Sequence, residues 1–174
     1  SDLSGVLRGE EFNAIAEAAP PLLDALARVQ LSQGNLELAE QSSRAACNII
    51  EALPALVPSV LATLTHILIA ANRCAEAVQV AERGLALIAQ FGCLGMYEVE
   101  LRLSISQAYA ASGSHDRGRT ELRDTLGQIQ LRADDITDPF WKNSYLTRNP
   151  YVVRAQQLAK DWKLDVRVTG AGSY

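Results

Sequence analysis

Histidine, cysteine and methionine are scarce in this chain, which carries two, three and one of them. With only His66 and His115 available, there is no H-E-x-x-H pair, no cysteine pair stands at metal-ligand spacing, and no glycine-rich loop opens a helix after a strand. Catalysis by a side-chain constellation needs a nucleophile, a base and an orienting group, and none is in view, so a non-catalytic chain without metal or cofactor is expected. Cys47, Cys74 and Cys93 are odd in number, far apart and set in apolar helical contexts, which predicts buried thiols in a reducing compartment. A block of Lys and Arg is also missing and the net charge is −4, so the electrostatic footprint of a nucleic-acid binder is absent. The longest apolar stretches, such as VLATLTHILIAA, are interrupted by Thr and His and are too short to span a bilayer, and no secretory signal is visible. A cytoplasmic location without membrane contact is the expectation. The first residue is Ser1 and not Met, which leaves room for preceding chain in a longer protein.

What is present is apolar and patterned. Hydrophobic residues make up 48% of the 174 positions and charged residues only 21%, so the chain should form one folded unit. Period-two alternation is nearly absent, whereas a helix-loop-helix unit recurs three times: ALARVQLSQGNLELAEQSSRAA, TLTHILIAANRCAEAVQVAERG and SISQAYAASGSHDRGRTELRDT. Gly34, Asn72 and Gly113 mark the inner turns, 38 and 41 positions apart, and Ala39, Ala77 and Gly118 follow five positions later. In the second helices the apolar or small positions are 39, 43, 46 and 50, then 77, 81, 84, 88 and 91, then 118, 122, 126 and 129. The first helices carry Leu23, Leu26, Ala27 and Gln30, then Leu61, Leu64, Thr65 and Leu68, then Arg102, Ile105, Ser106 and Tyr109. Each set is one stripe at helical spacing, and a two-helix unit with one buried face needs stacked neighbours. The fold class is therefore all-α.

Punctuation supports this division. Pro21 and Pro58 suit the first turn of a helix, where the missing N–H would be unbonded anyway, and Asn35 and Ser114 suit N-caps of second helices. An amphipathic helix is expected within residues 1–19, three helix pairs over 20–131, capping helices over 132–163 and a loose tail over 164–174, all within one domain. Asp138-Pro139 and Asn149-Pro150 each read as an N-cap followed by a first-position proline. Asp134 and Asp135 read as a solvated linker before Asp138. Tyr151, Ala155, Leu158 and Trp162 share one face of the last helix, with Arg154, Gln157 and Lys160 elsewhere. Five of the ten aromatic residues (Phe140, Trp141, Tyr145, Tyr151 and Trp162) cluster here, as expected of a cap over the open face of a last repeat. A partner-docking surface is the alternative for the same aromatics.

Ala27, Gly34, Ala39 and Ala46 give the first unit a pattern that resembles the tetratricopeptide repeat (TPR). The second unit has Thr65, Asn72, Ala77 and Gly84 at those places and the third has Ser106, Gly113, Gly118 and Thr125, with Tyr109 as a further match. Ser144, Tyr145, Leu146, Arg148, Pro150, Leu158, Ala159 and Trp162 are similar to the closing motif of repeat regions in large bacterial signalling proteins that join a serine/threonine kinase or NTPase to such repeats. The resemblance implies a right-handed superhelix of antiparallel helix pairs closed by a C-terminal capping pair, with first helices lining a concave surface. It places Asp24 and Arg28, Ala62 and His66, and Leu103 and Gln107 on that surface, flanked by Thr63 and Ser104, with Ser59 and Glu100 one turn earlier. A carboxylate clamp is not expected, because the one Arg is opposed by Asp24 and Glu100. The implied function is a protein-protein interaction module, a scaffold or regulatory arm with Asp24, Arg28, Thr63, His66, Glu100, Ser104 and Gln107 facing a protein or peptide segment, which a neighbouring domain of the same chain could supply. A small-molecule sensor of a signal-responsive regulator is the alternative. Monomer and homodimer both remain open.

Overall fold

The computed structural model describes residues 9–49, 57–91 and 97–164, and all secondary structure among them is helical. Eight helices follow one another among these residues: α1 (Gly9–Ser32), α2 (Leu36–Ile49), α3 (Val57–Ala70), α4 (Cys74–Phe91), α5 (Glu98–Ala111), α6 (His115–Asp135), α7 (Pro139–Arg148) and α8 (Pro150–Asp161). The turns between α1 and α2, α3 and α4, and α5 and α6 share one geometry. Gly34, Asn72 and Gly113 have φ of 78°, 58° and 85°. At each, the amide bonds three residues back (Leu31, Ile69, Ala110) and the next amide bonds five back (Gln30, Leu68, Tyr109) at 2.8–3.1 Å. This double bond satisfies carbonyls that a helix end leaves open, and only glycine or asparagine enters the left-handed region cheaply.

The residue after the turn accepts the first bond of the next helix, from Ala39, Ala77 or Gly118. Those three small residues are buried, as are Ala27, Thr65 and Ser106 midway along the first helices. Removing side-chain bulk at both places lets the paired helices approach closely. The Gly118 position is the tightest: a Cβ there would stand 2.8 Å from the Ser106 carbonyl oxygen. A Cβ at Gly84 would press on the Leu101 side chain at 2.9 Å.

The pairs stack in sequence. α3 packs against α1, α2 and α4, and α5 packs against α3, α4 and α6, so α1, α3 and α5 form a row of first helices. α8 extends the row against α5 and α6, with α7 beside it. α5 is buried on two sides: Leu101, Ile105 and Tyr109 join α3 and α4, while Val99 and Leu103 join α6, α7 and α8. The second-helix stripe is buried as expected at 39, 43, 46, 77, 81, 84, 88, 118, 122, 126 and 129, while Ile50, the Phe91 side chain and Cys93 lie outside the described residues. Cys47 and Cys74 are free thiols, half-buried, and burial pushes the Cys47 thiol pKa up.

Several sequence expectations are revised. α1 runs unbroken through Pro20 and Pro21, so Pro21 lies in a helix interior and residue 19 is not a boundary. Each proline has already lost the N–H that would bond one turn back, and the rest of the helix continues past the gap. Leu26, grouped with the buried stripe, is 47% exposed and lies with Leu22 and Val29 on the outer face of α1, because no described element packs there. Ser114 occupies the N-cap position of α6 without a side-chain bond, since its ψ of 56° departs from the extended backbone that aims a capping oxygen inward. Asn35 turns its side-chain amide to Gln33 at 3.4 Å. Asp138 and Asn149, with ψ of 120° and 119°, do cap α7 and α8, each accepting two backbone N–H bonds. Asp134 and Asp135 belong to the last turn of α6, where Asp134 accepts from Lys142 at 2.8 Å.

The C-terminal aromatics divide. Tyr145, Tyr151 and Trp162 pack onto the core that α7 and α8 share with α5 and α6, and Arg154, Gln157 and Lys160 are exposed. Phe140 and Trp141 form an edge-to-face pair at 5.1 Å and remain more than 60% exposed, so they cap nothing. The tail beyond residue 164 lies outside the described residues.

Two glycines of α6 provide a test of close packing. Gly118→Ala should lose about 1–3 kcal/mol in urea unfolding, because the opposing atom is backbone. Gly127→Ala, where a Cβ meets nothing within 4 Å, should gain about 0.5–1 kcal/mol from helix propensity.

Candidate functional site

The row of first helices brings most of the polar residues singled out from the sequence to one side of the molecule, but not as a free surface. Arg28 on α1 reaches past α3 to α5. Its Nε donates to Asp24 Oδ2 at 2.9 Å, its Nη1 to Glu100 Oε1 at 2.5 Å and its Nη2 to Ser59 Oγ at 2.9 Å. Ser59 Oγ in turn donates to Asp24 Oδ2 at 2.9 Å. The small Ser59 on the intervening helix is what lets the guanidinium cross, and the first and third units are thereby tied directly. The Asp24 and Glu100 side chains are 10% and 4% exposed, and Arg28 is 36% exposed. Burial disfavours the Arg28 charge, but the two carboxylates outweigh it and raise the guanidinium pKa.

Further along the row, His66 Nε2 lies 2.9 Å from Gln107 Oε1, which joins α3 to α5 and requires the proton on Nε2. Burial lowers the His66 pKa, against the opposing effects of the Gln107 bond and the Glu100 charge, while Arg28 and Arg154 add to the lowering. Thr63 and Ser104 are buried and return their hydroxyls to their own helices, Thr63 to the Ser59 carbonyl at 3.2 Å and Ser104 to the Leu101 carbonyl at 2.7 Å. Of the seven candidate residues, Arg28, His66 and Gln107 retain appreciable exposure, while Asp24, Thr63, Glu100 and Ser104 are buried.

Beside the Arg28 network is a cavity of about 270 Å³, lined by Pro21, Asp24, Ala25, Arg28, Ser59, Val60, Tyr97 and Tyr151. Tyr97 immediately precedes α5 and Tyr151 stands on the first turn of α8, so the capping segment also walls the site. The Tyr151 phenol pKa is raised, first by burial and then by the Glu100 charge. The i, i+4, i+7 stripe of α8 places Tyr151 on the packed face, but no sequence signal brings it to Arg28.

A second ionic network was hidden in the pattern. Arg102, grouped with the buried stripe of α5, donates from Nε to Glu98 at 2.9 Å and from Nη1 to Glu121 of α6 at 2.9 Å, and Arg132 donates to Glu98 at 2.6 Å. Burial raises the Glu121 pKa against the pull of Arg102. This network lies between α5 and α6, away from the cavity lining.

Among the described residues no group of three or more His, Cys, Asp and Glu side chains is placed to hold a metal ion, and no helix is long and apolar enough to cross a membrane. No protein-family model, curated protein or solved structure matches the chain.

Arg28→Met should destabilise the fold by about 2–3 kcal/mol in chemical denaturation, since it strands two buried carboxylates; the partial exposure of Arg28 keeps the loss near the low end for buried pairs. His66 supplies a pH signature. Its folded pKa lies below the model value of 6.5, so the unfolded chain takes up a proton first as pH falls. Stability should be full above that value, decline as pH drops through it, and level off below the folded pKa. His66→Gln should flatten this part of a urea-midpoint profile measured between pH 7 and 5.

Proposed function

We propose that this chain is a non-catalytic helical-repeat module of the tetratricopeptide type that holds a protein segment against its row of first helices. The observation that carries this reading is the threefold return of one local design. A left-handed residue at 34, 72 and 113 is followed five positions later by a buried small residue and preceded by a buried small residue midway along the first helix. Repetition of a two-helix unit builds a continuous side from like helices, and such sides are suited to extended partners. The wall at α8 and the motif around Ser144–Trp162 support a short array, the regulatory or scaffold arm of a larger signalling protein.

The site's chemistry narrows the partner. Arg28 is engaged by Asp24 and Glu100, so it is not free to grip a partner carboxylate. The cavity has an ion pair in its wall, unlike the apolar enclosure that would favour a small-molecule sensor. A segment would engage the polar edge at His66 and Gln107 and enter the cavity with a side chain.

Gln107→Lys and Glu82→Lys separate the inner row from the outer layer, since Gln107 is half-buried on α5 and Glu82 exposed on α4. In quantitative affinity capture followed by cross-linking, Gln107→Lys should reduce partner recovery at least tenfold and Glu82→Lys should leave it unchanged. Equal recovery in both, at unchanged thermal midpoints, would remove the inner row as the site.

A further inference from the structure

We infer that the cavity between α1, α3, α5 and α8 binds an alkylammonium group, held by Asp24 and flanked by Tyr97 and Tyr151. This rests on, and refines, the assignment of the inner row as a partner-binding face. The hydrogen-bond inventory around Arg28 motivates it. The guanidinium and Ser59 use Asp24 Oδ2, and the guanidinium uses Glu100 Oε1. Asp24 Oδ1 and Glu100 Oε2 are both buried and accept nothing. A buried carboxylate oxygen without a donor costs the full desolvation of that atom, so such atoms mark places where a donor is to be supplied. Asp24 is part of the cavity wall, with its side chain only 10% exposed.

Charge indicates which donor fits. Asp24 and Glu100 carry two negative charges and Arg28 returns one positive charge, so the network has an excess of −1. Arg154 on α8, the other cation near this row, is exposed, acts on His66 and forms no ion pair among the described residues. A neutral hydroxyl or amide would satisfy an oxygen but leave the excess charge. An ammonium supplies up to three N–H donors and the missing charge together. The phenol rings of Tyr97 and Tyr151 suit the same group, since aromatic faces attract cations, and Pro21, Ala25 and Val60 offer apolar contact to an alkyl stem. A volume of about 270 Å³ accommodates a lysine side chain or a free amine of similar size. An anion would meet Asp24 in the wall with Arg28 already engaged.

The test uses the full chain, ¹⁵N-labelled, titrated with n-butylammonium chloride, 1-butanol and sodium butyrate at matched ionic strength. Saturable shifts of the Ala25, Arg28 and Tyr151 amide signals with n-butylammonium are expected, with butanol at least tenfold weaker and butyrate without effect. Ala25→Leu fills the cavity without touching the ionic network and should abolish the response at an unchanged thermal midpoint. Asp24→Asn should weaken it at least fivefold, and Ala25→Leu carries the decision should that variant not fold. Nα-acetyl-lysine N-methylamide binding tighter than n-butylammonium would identify a lysine of a protein segment as the source, and the reverse order a free amine; both support the assignment. No saturable shift, an equal response to butanol, or full binding by Ala25→Leu would overturn it. Loss of partner recovery confined to Gln107→Lys, with no amine response in the native chain, would retire the ammonium site alone and keep the inner row.

Discussion

Gly34, Asn72 and Gly113 each end a first helix with one left-handed residue, and the amides of that residue and the next close the helix end by reaching back three and five positions. This turn leaves no slack. The second helix begins within one or two residues of it, at Leu36, Cys74 or His115, and must run back along the first. Close return requires small residues where the helices meet, hence Ala39, Ala77 and Gly118 on one side and Ala27, Thr65 and Ser106 on the other. Once three pairs are set this way, their remaining apolar faces can be buried only by stacking, which fixes the row of α1, α3 and α5.

The row in turn decides the electrostatics. Side chains that a single helix would expose to water are brought together from three helices, and Arg28 meets carboxylates from α1 and α5 across a serine on α3. Its contribution is partly structural, because the same contact joins the first unit to the third. A surface that would otherwise be a polar groove is occupied at this end by its own ion pairs, which moves the opportunity for binding to the cavity beside them and to the His66–Gln107 edge.

A fourth turn of the same kind follows α8. Lys163 has φ of 53°, its amide bonds Lys160 and the next amide bonds Ala159, as at the three inner turns. α8 therefore ends as a first helix ends and lies beside α5 as a further first helix would, while supplying Tyr151 to the cavity and Trp162 over Gly118. The C-terminal segment is thus cap and site wall at once.

Helix content, the positions of the inner turns, the buried second-helix stripe and the two Asp-Pro and Asn-Pro helix starts were all legible in the residues, because each is set by interactions within a few positions along the chain. Backbone conformation at Gly34 and Gly113, apolar spacing along α4 and α6, and extended caps at Asp138 and Asn149 need no distant partner. What depended on distant partners was decided only by the tertiary structure. Leu26 has the right spacing to be buried yet faces outward, because burial requires a neighbour on that side; Phe140 and Trp141 are exposed for the same reason. Asp24 and Glu100 have the composition of a solvated face yet are buried, because Arg28 spans α3 to reach both. Periodicity states which residues share a helix face, and only the packing of helices far apart in sequence states what that face meets.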